Sequence, residues 1–141
     1  MLTIEWSEEY GVDGGAIDAE HKTLIAMANR LFAVANPSSE LEEVIELVHQ
    51  LFSYVDTHFQ HEEEFMAEVG YPDLAGHMAK HRRISKRLAE VIRLQKNLFQ
   101  INQYLQHLVL DWVLQHIQGE DKKIKVFLDQ QRTCDMALAN R

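Results

Sequence analysis

Residues 57–66 read THFQHEEEFM. Two histidines and three glutamates interrupt a segment that otherwise keeps the apolar rhythm of a buried helix. Upstream, Leu41, Ile45, Val48, Leu51 and Val55 recur at three- and four-residue steps, and the stripe runs on through His58, Glu62 and Phe65. His58 and Glu62 therefore face inward as an i,i+4 pair, while His61, Glu63 and Glu64 fall toward the rim or solvent. An unpartnered buried histidine or glutamate costs several kcal/mol, so a core that accepts this pair needs a compensating charge.

The same pattern recurs on both sides. Ile17, His21, Leu24, Ala28 and Leu31 share one face of a first helix that stops at Asn36-Pro37, since proline disfavours helix for the residue before it. Ser39 and Glu42 have the spacing of a capping box and open the second helix, which Gly70-Tyr71-Pro72 closes. A third helix carries Leu74, His77, His81, Ile84, Leu88 and Val91, and a turn without Gly or Pro falls around Lys96 to Asn102. The fourth carries Leu105, Leu108, Trp112 and His116, and closes over His116 to Asp121. Residues 122–141 have a weaker pattern and add at most a short extra helix.

Four amphipathic helices with short connections predict an all-α, antiparallel up-down-up-down four-helix bundle. It forms a single domain: an N-terminal arm over 1–16, the bundle over 17–121 and a short C-terminal extension over 122–141. A chain of 141 residues, 46% hydrophobic and 26% charged, with six Gly and two Pro, suits such a fold and offers little of the punctuation that strands need. A net charge of -8 argues against nucleic acid or an anionic membrane as partner. No apolar run reaches membrane-spanning length, the single Cys134 has no internal partner, and the start lacks the regions of a signal peptide. A reducing cytoplasm is the simplest location.

Topology then gathers the polar residues. In an up-down bundle the starts of helices one and three lie at the same end as the finishes of helices two and four. His21, His58, Glu62, His77, His81 and His116 all fall within roughly 15 Å of that end, at about 1.5 Å of rise per residue. Asp121 lies five residues past His116, about 500° of α-helix, so it is rotated away unless the backbone distorts near Gly119. Five imidazoles and two carboxylates exceed what one tetrahedral zinc takes, and suit two six-coordinate irons bridged by both carboxylates and an oxide or hydroxide.

The pieces Asp18-Ala19-Glu20-His21-Lys22, His58-Phe59-Gln60-His61-Glu62-Glu63, His77-x-x-x-His81 and Trp112-x-x-x-His116-Ile117-x-x-x-Asp121 resemble the bacterial hemerythrins, as do Trp6 and the Gly70-Tyr71 turn. The resemblance spans residues 1 to about 122. It implies a non-haem site of two iron ions that binds dioxygen reversibly. It also implies that His77, His81 and His116 hold the saturated iron, that His21 and His58 hold the one with an open position, and that Glu62 and Asp121 bridge. Leu24, Phe59, Trp112 and Ile117 are placed by spacing and by the resemblance to line a dry oxygen pocket.

His49, His61 and His107 fall off the inward stripes and belong to solvated faces. Glu46-x-x-His49 is half of a ferritin-type signature that needs two such motifs. The leading functional expectation is an oxygen-binding protein, not an enzyme, that stores, carries or delivers oxygen. A sensor that signals through residues 122–141 to a protein partner comes second, and a peroxide or nitric oxide reductase third.

Overall fold

Each rod of the structure is built by the stripe its sequence carries. The computed structural model describes residues 3–35, 39–94 and 97–139. The rods are α1 (Ala16–Val34), α2 (Leu41–Val69), α3 (Leu74–Leu94) and a last one that begins as α4 (Leu98–Asp111). The last rod widens into a π-helix over Trp112–Asp121 and returns to α-helix as α5 (Lys122–Ala139). Trp112 and Lys122, at the two junctions, keep right-handed helical backbone, so residues 98–139 form one continuous rod. α1 packs on α2 and α4, α2 on α3, and α3 on α4, which closes a ring of four. This is the expected bundle, and the described residues contain no strand.

The register of α2 differs from the expected one at both ends. Val44 and Met66 are fully buried, whereas Leu41 is 39% exposed and Ile45 and Phe65 are half-buried. The helix is 29 residues long, and a 3.6-residue period drifts steadily against the 3.5-residue seam of packed neighbours. Extrapolating the stripe from its middle therefore misplaces its ends by one position.

The helix ends divide in the same way. Gly70 has φ 75°, a left-handed conformation that suits glycine, and the Tyr71 N–H donates to the Met66 carbonyl at 2.8 Å, closing α2 as expected. The capping box does not form: Ser39 donates its hydroxyl to the Val34 carbonyl at the end of α1, and Glu40 stands at the N-cap of α2 without a side-chain bond. Asn97 accepts the Gln100 N–H at 2.9 Å and starts α4 at once, so the turn expected over 96–102 is shorter. Asn36, Pro37 and Lys96 lie outside the described residues.

The N-terminal arm is tied to the bundle through polar side chains of α1. Asn29 pairs with the Ile4 backbone, accepting its N–H at 2.8 Å and donating to its carbonyl at 2.7 Å. The buried Asp18 carboxylate accepts the Val12 and Gly14 N–H groups at 2.7 and 2.9 Å. Hydrogen bonds to an ionised acceptor are each worth about 1.5–3 kcal/mol. Asp18→Ala is therefore expected to destabilise the fold by about 3 kcal/mol, read as a lower urea midpoint at unchanged m-value.

Two apolar clusters result. The larger fills the bundle and includes Leu24, Phe59, Leu105, Trp112 and Ile117. The smaller closes one end with Val12, Ile17, Met66, Tyr71 and Ile124, packed by Phe127 and Leu128. The extension is thus not idle: its first turns complete the closing cluster, Ile124 is fully buried, and the helix runs on through 129–139 with those residues exposed. No helix among the described residues is long and apolar enough to cross a membrane.

Candidate metal centre

Between the two clusters lie His21, His58, Glu62, His77, His81, His116 and Asp121, each at most 4% exposed. α1 delivers His21 near its start, α2 delivers His58 and Glu62 near its finish, and α3 delivers His77 and His81 from successive turns near its start. The π-helix delivers the other two. Its i→i+5 repeat brings residues five apart nearly into line, so His116 Nε2 and Asp121 Oδ1 stand 3.1 Å apart where an α-helix would have turned them away.

The carboxylate oxygens divide the histidines into two groups. Glu62 Oε1 lies 2.8 Å from His77 Nε2, 3.0 Å from His81 Nε2 and 3.9 Å from His116 Nε2. Its other oxygen, Oε2, lies 3.5 Å from both His21 Nε2 and His58 Nε2. Asp121 repeats the division: Oδ1 faces His77 and His116 at 2.9 and 3.1 Å, and Oδ2 faces His21 at 3.2 Å. Donor atoms of Glu62, His77, His81, His116 and Asp121 all lie within 4.8 Å of one another, and so do those of His21, His58 and Glu62.

Many of these atoms lack a hydrogen bond. His21 Nε2, His58 Nε2, His116 Nε2, Glu62 Oε2 and both Asp121 oxygens are buried and, although oppositely charged neighbours lie within 3.5 Å, none makes a well-directed hydrogen bond. Six such atoms facing one another fit a cation-binding cavity, and imidazole and carboxylate donors without sulfur fit a first-row transition metal. The titration of the groups points the same way. Burial pulls His21, His77 and His116 down, but Asp121 and Glu62 outweigh it and hold the first two at about 9 and His116 at about 10. Burial pushes Glu62 up, yet contacts from His116, His21, His58 and His77 leave it well below the usual carboxylate range. Burial and the charge of Glu62 push Asp121 up, and His116 and His21 bring it below that range as well. Protons on the imidazoles supply the positive charge that a metal would otherwise bring.

Among the expected pocket residues, Leu24 and Trp112 border an apolar cavity of about 30 Å³ shared with Leu51, Val55 and Leu108. The Trp112 ring lies 6.0 Å from that of His21. Phe59 does not border that cavity but lies against the centre, stacked on His81 with ring centroids 3.8 Å apart and 5.8 and 5.9 Å from the rings of His58 and His116, and Ile117 is buried in the main cluster. His49, His61 and His107 are exposed. Sequence reading missed the outer carboxylates: Glu20 bonds His58 Nδ1 at 2.9 Å and Glu63 bonds His81 Nδ1 at 2.8 Å. Each sits next in sequence to a residue of the centre, Glu20 before His21 and Glu63 after Glu62, and that adjacency is the one signal that points to them.

Comparison with known proteins agrees with this geometry. Residues 15–128 match the model of the hemerythrin HHE cation-binding domain. The chain is 33% identical over 135 residues to a bacteriohemerythrin of Stenotrophomonas maltophilia, covering 92% of this chain and 87% of that protein. It is also 33% identical over 127 residues to a bacteriohemerythrin of Methylococcus capsulatus, covering 86% and 94%. The crystal structure of a hemerythrin mutant superposes with a TM-score of 0.74 at 28% identity, over 89% of this chain and 96% of the other. A matched domain, a shared fold and a buried histidine–carboxylate cluster agree: the chain belongs to the hemerythrin family.

Proposed function

We propose that this protein binds dioxygen reversibly at a carboxylate-bridged pair of iron ions and thereby stores, carries or delivers oxygen. The observation that carries the reading is the division of the Glu62 and Asp121 oxygens between a three-histidine group and a two-histidine group. His77, His81 and His116 would hold one iron, His21 and His58 the other, with Glu62 and Asp121 bridging. When bound, the pair would supply two reducing equivalents to dioxygen, and the half held by His21 and His58, with one histidine fewer, would be the one left to receive it.

The chain's own residues then favour binding over turnover. Leu24 and Trp112 border an apolar cavity on the His21 side, and Phe59 covers the ring of His81, so these two faces of the centre are apolar, whereas the His116 side meets a cleft lined by Lys80, Arg87, Asp111 and Glu120. The cavity walls are apolar side chains, and they offer no carboxylic acid, imidazole or ammonium to deliver protons. A dry wall of this kind slows the proton-driven loss of bound oxygen and suits a binding protein rather than an enzyme.

The test is to prepare the reduced, iron-loaded protein anaerobically, mix it with oxygen and follow its absorption. A coloured adduct that bleaches when oxygen is withdrawn is expected; oxidation without a reversible adduct would sink the reading. His58→Ala is expected to lower metal content from two irons per chain to one, measured by elemental analysis, whereas His107→Ala leaves two.

A sensing role has one observation in its favour. The residues proposed as ligands on the last rod, His116 and Asp121, share a continuous helix with the exposed residues 129–139. A rotation at the π-helix would therefore be carried outward. Limited proteolysis of the deoxygenated and oxygenated forms should then cut 129–139 at different rates, and identical rates would remove this role.

A further inference from the structure

Glu20 reaches from α1 across two histidines of α2. Its Oε1 lies 2.9 Å from His58 Nδ1 and its Oε2 lies 2.6 Å from His61 Nδ1. The Glu20 side chain is 18% exposed and that of His61 is 51% exposed, so the line runs from surface to centre. His21, the other histidine of this half, has no partner on Nδ1. His58 is thus the one imidazole of the two-histidine half that an outer carboxylate orients. On the other half, Glu63 does the same for His81 at 2.8 Å, without a second histidine on its carboxylate among the described residues.

We propose that Glu20 is a positioning residue for the two-histidine half and that the surface residue His61 locks it in place. A carboxylate on Nδ1 fixes which imidazole nitrogen keeps its proton, aims Nε2 into the centre and makes that nitrogen a stronger donor. A glutamate side chain left free loses this effect by rotating away. His61 holds the second oxygen, so both oxygens of Glu20 are engaged at once and the side chain keeps one rotamer. His61 therefore acts on the centre through two hydrogen bonds, although it lies on the solvated face. This inference rests on the two-metal reading above.

The experiment loads the protein with ferrous iron under argon and follows its release to a colorimetric chelator. Wild type is expected to release iron in two phases, one per half. Glu20→Ala should accelerate one phase by about 10- to 100-fold and leave the other alone, the range that loss of such outer partners costs, while Glu63→Ala should accelerate the opposite phase. Glu20→Gln keeps the shape and one acceptor oxygen and should fall between wild type and Glu20→Ala. His61→Ala should accelerate the same phase as Glu20→Ala, by less, with two irons still bound at rest. If Glu20→Ala and Glu63→Ala act on the same phase, or His61→Ala on neither, the proposal is overturned.

A second readout needs no iron. In the metal-free protein the His58 Nδ1–H proton should resonate at low field, as one hydrogen-bonded to a carboxylate does, and that signal should vanish in Glu20→Ala. An unchanged signal overturns the proposal. A wild-type chain that takes up fewer than two irons would instead overturn the two-metal reading, and the proton signal would still decide whether Glu20 holds His58.

Discussion

Glu62→Gln is expected to abolish stable metal binding in both halves at once. The two Glu62 oxygens lie within 3.9 Å of all five Nε2 atoms: Oε1 toward His77, His81 and His116, and Oε2 toward His21 and His58. Glutamine keeps the shape but offers one oxygen, and its amide N–H groups must face the other half. Neither amide orientation serves both. The expected loss in affinity is at least about 100-fold, the upper end of what losing even an outer partner costs. The metal-free protein should suffer too, because the raised imidazoles would keep only Asp121 as counter-charge. Removing one member of a buried charge cluster costs about 3–5 kcal/mol, which a urea titration near pH 7 resolves. Glu64→Gln, an exposed change on the same helix, should alter neither quantity. Elemental analysis finding two irons per chain in Glu62→Gln would refute the bridging role.

Residues with this much leverage were legible in the sequence because helical periodicity and bundle topology are both nearly rigid. Once His58 and Glu62 share a face, and Gly70 and the short connections fix alternating directions, the ends of the helices have few places to go. Asp121 was legible only as an anomaly. Its spacing from His116 is wrong for an α-helix, and the structure resolves the conflict by widening the helix over Trp112–Asp121. Backbone geometry of this kind leaves no side-chain pattern, so sequence could locate the strain near Gly119 without saying that ten residues share it. Glu20 and Glu63 escaped for another reason. They lie one position off the inward stripe, where a carboxylate ordinarily meets water, and only the angle between neighbouring helices decides whether it reaches a histidine's far nitrogen. The packing of residues 122–139 escaped because only Ile124 is fully buried there, with Phe127 and Leu128 packed beside it, and so short a contact makes no clear period.

Metal removal is the remaining large effect, and its size should depend on pH in a direction set by the imidazoles. In the metal-free protein His21 and His77 are held at about 9 and His116 at about 10, above the ordinary 6.5. A group raised on folding contributes its full stability below its unfolded pKa, so this contribution is complete below 6.5 and is lost as pH rises through 9 to 10. Glu62 and Asp121 are lowered from 4.5 and 3.8, so their contribution is complete above those values and is lost as pH falls below them. The metal-free protein should therefore be most stable between pH 4.5 and 6.5. Metal requires unprotonated Nε2 atoms and must displace those same protons, so its affinity rises with pH over the interval in which the metal-free network weakens. A ligand at about 1,000 times its Kd stabilises by about 4 kcal/mol per site, or about 8 for two sites. For a chain of this size that corresponds to a Tm higher by about 20 °C or more. Melting curves with and without a chelator at pH 6 and pH 8.5 should show the gap widening at the higher pH, with protons released as metal is taken up. A gap that narrows with pH would mean that the histidines holding these protons are not the groups that meet the metal.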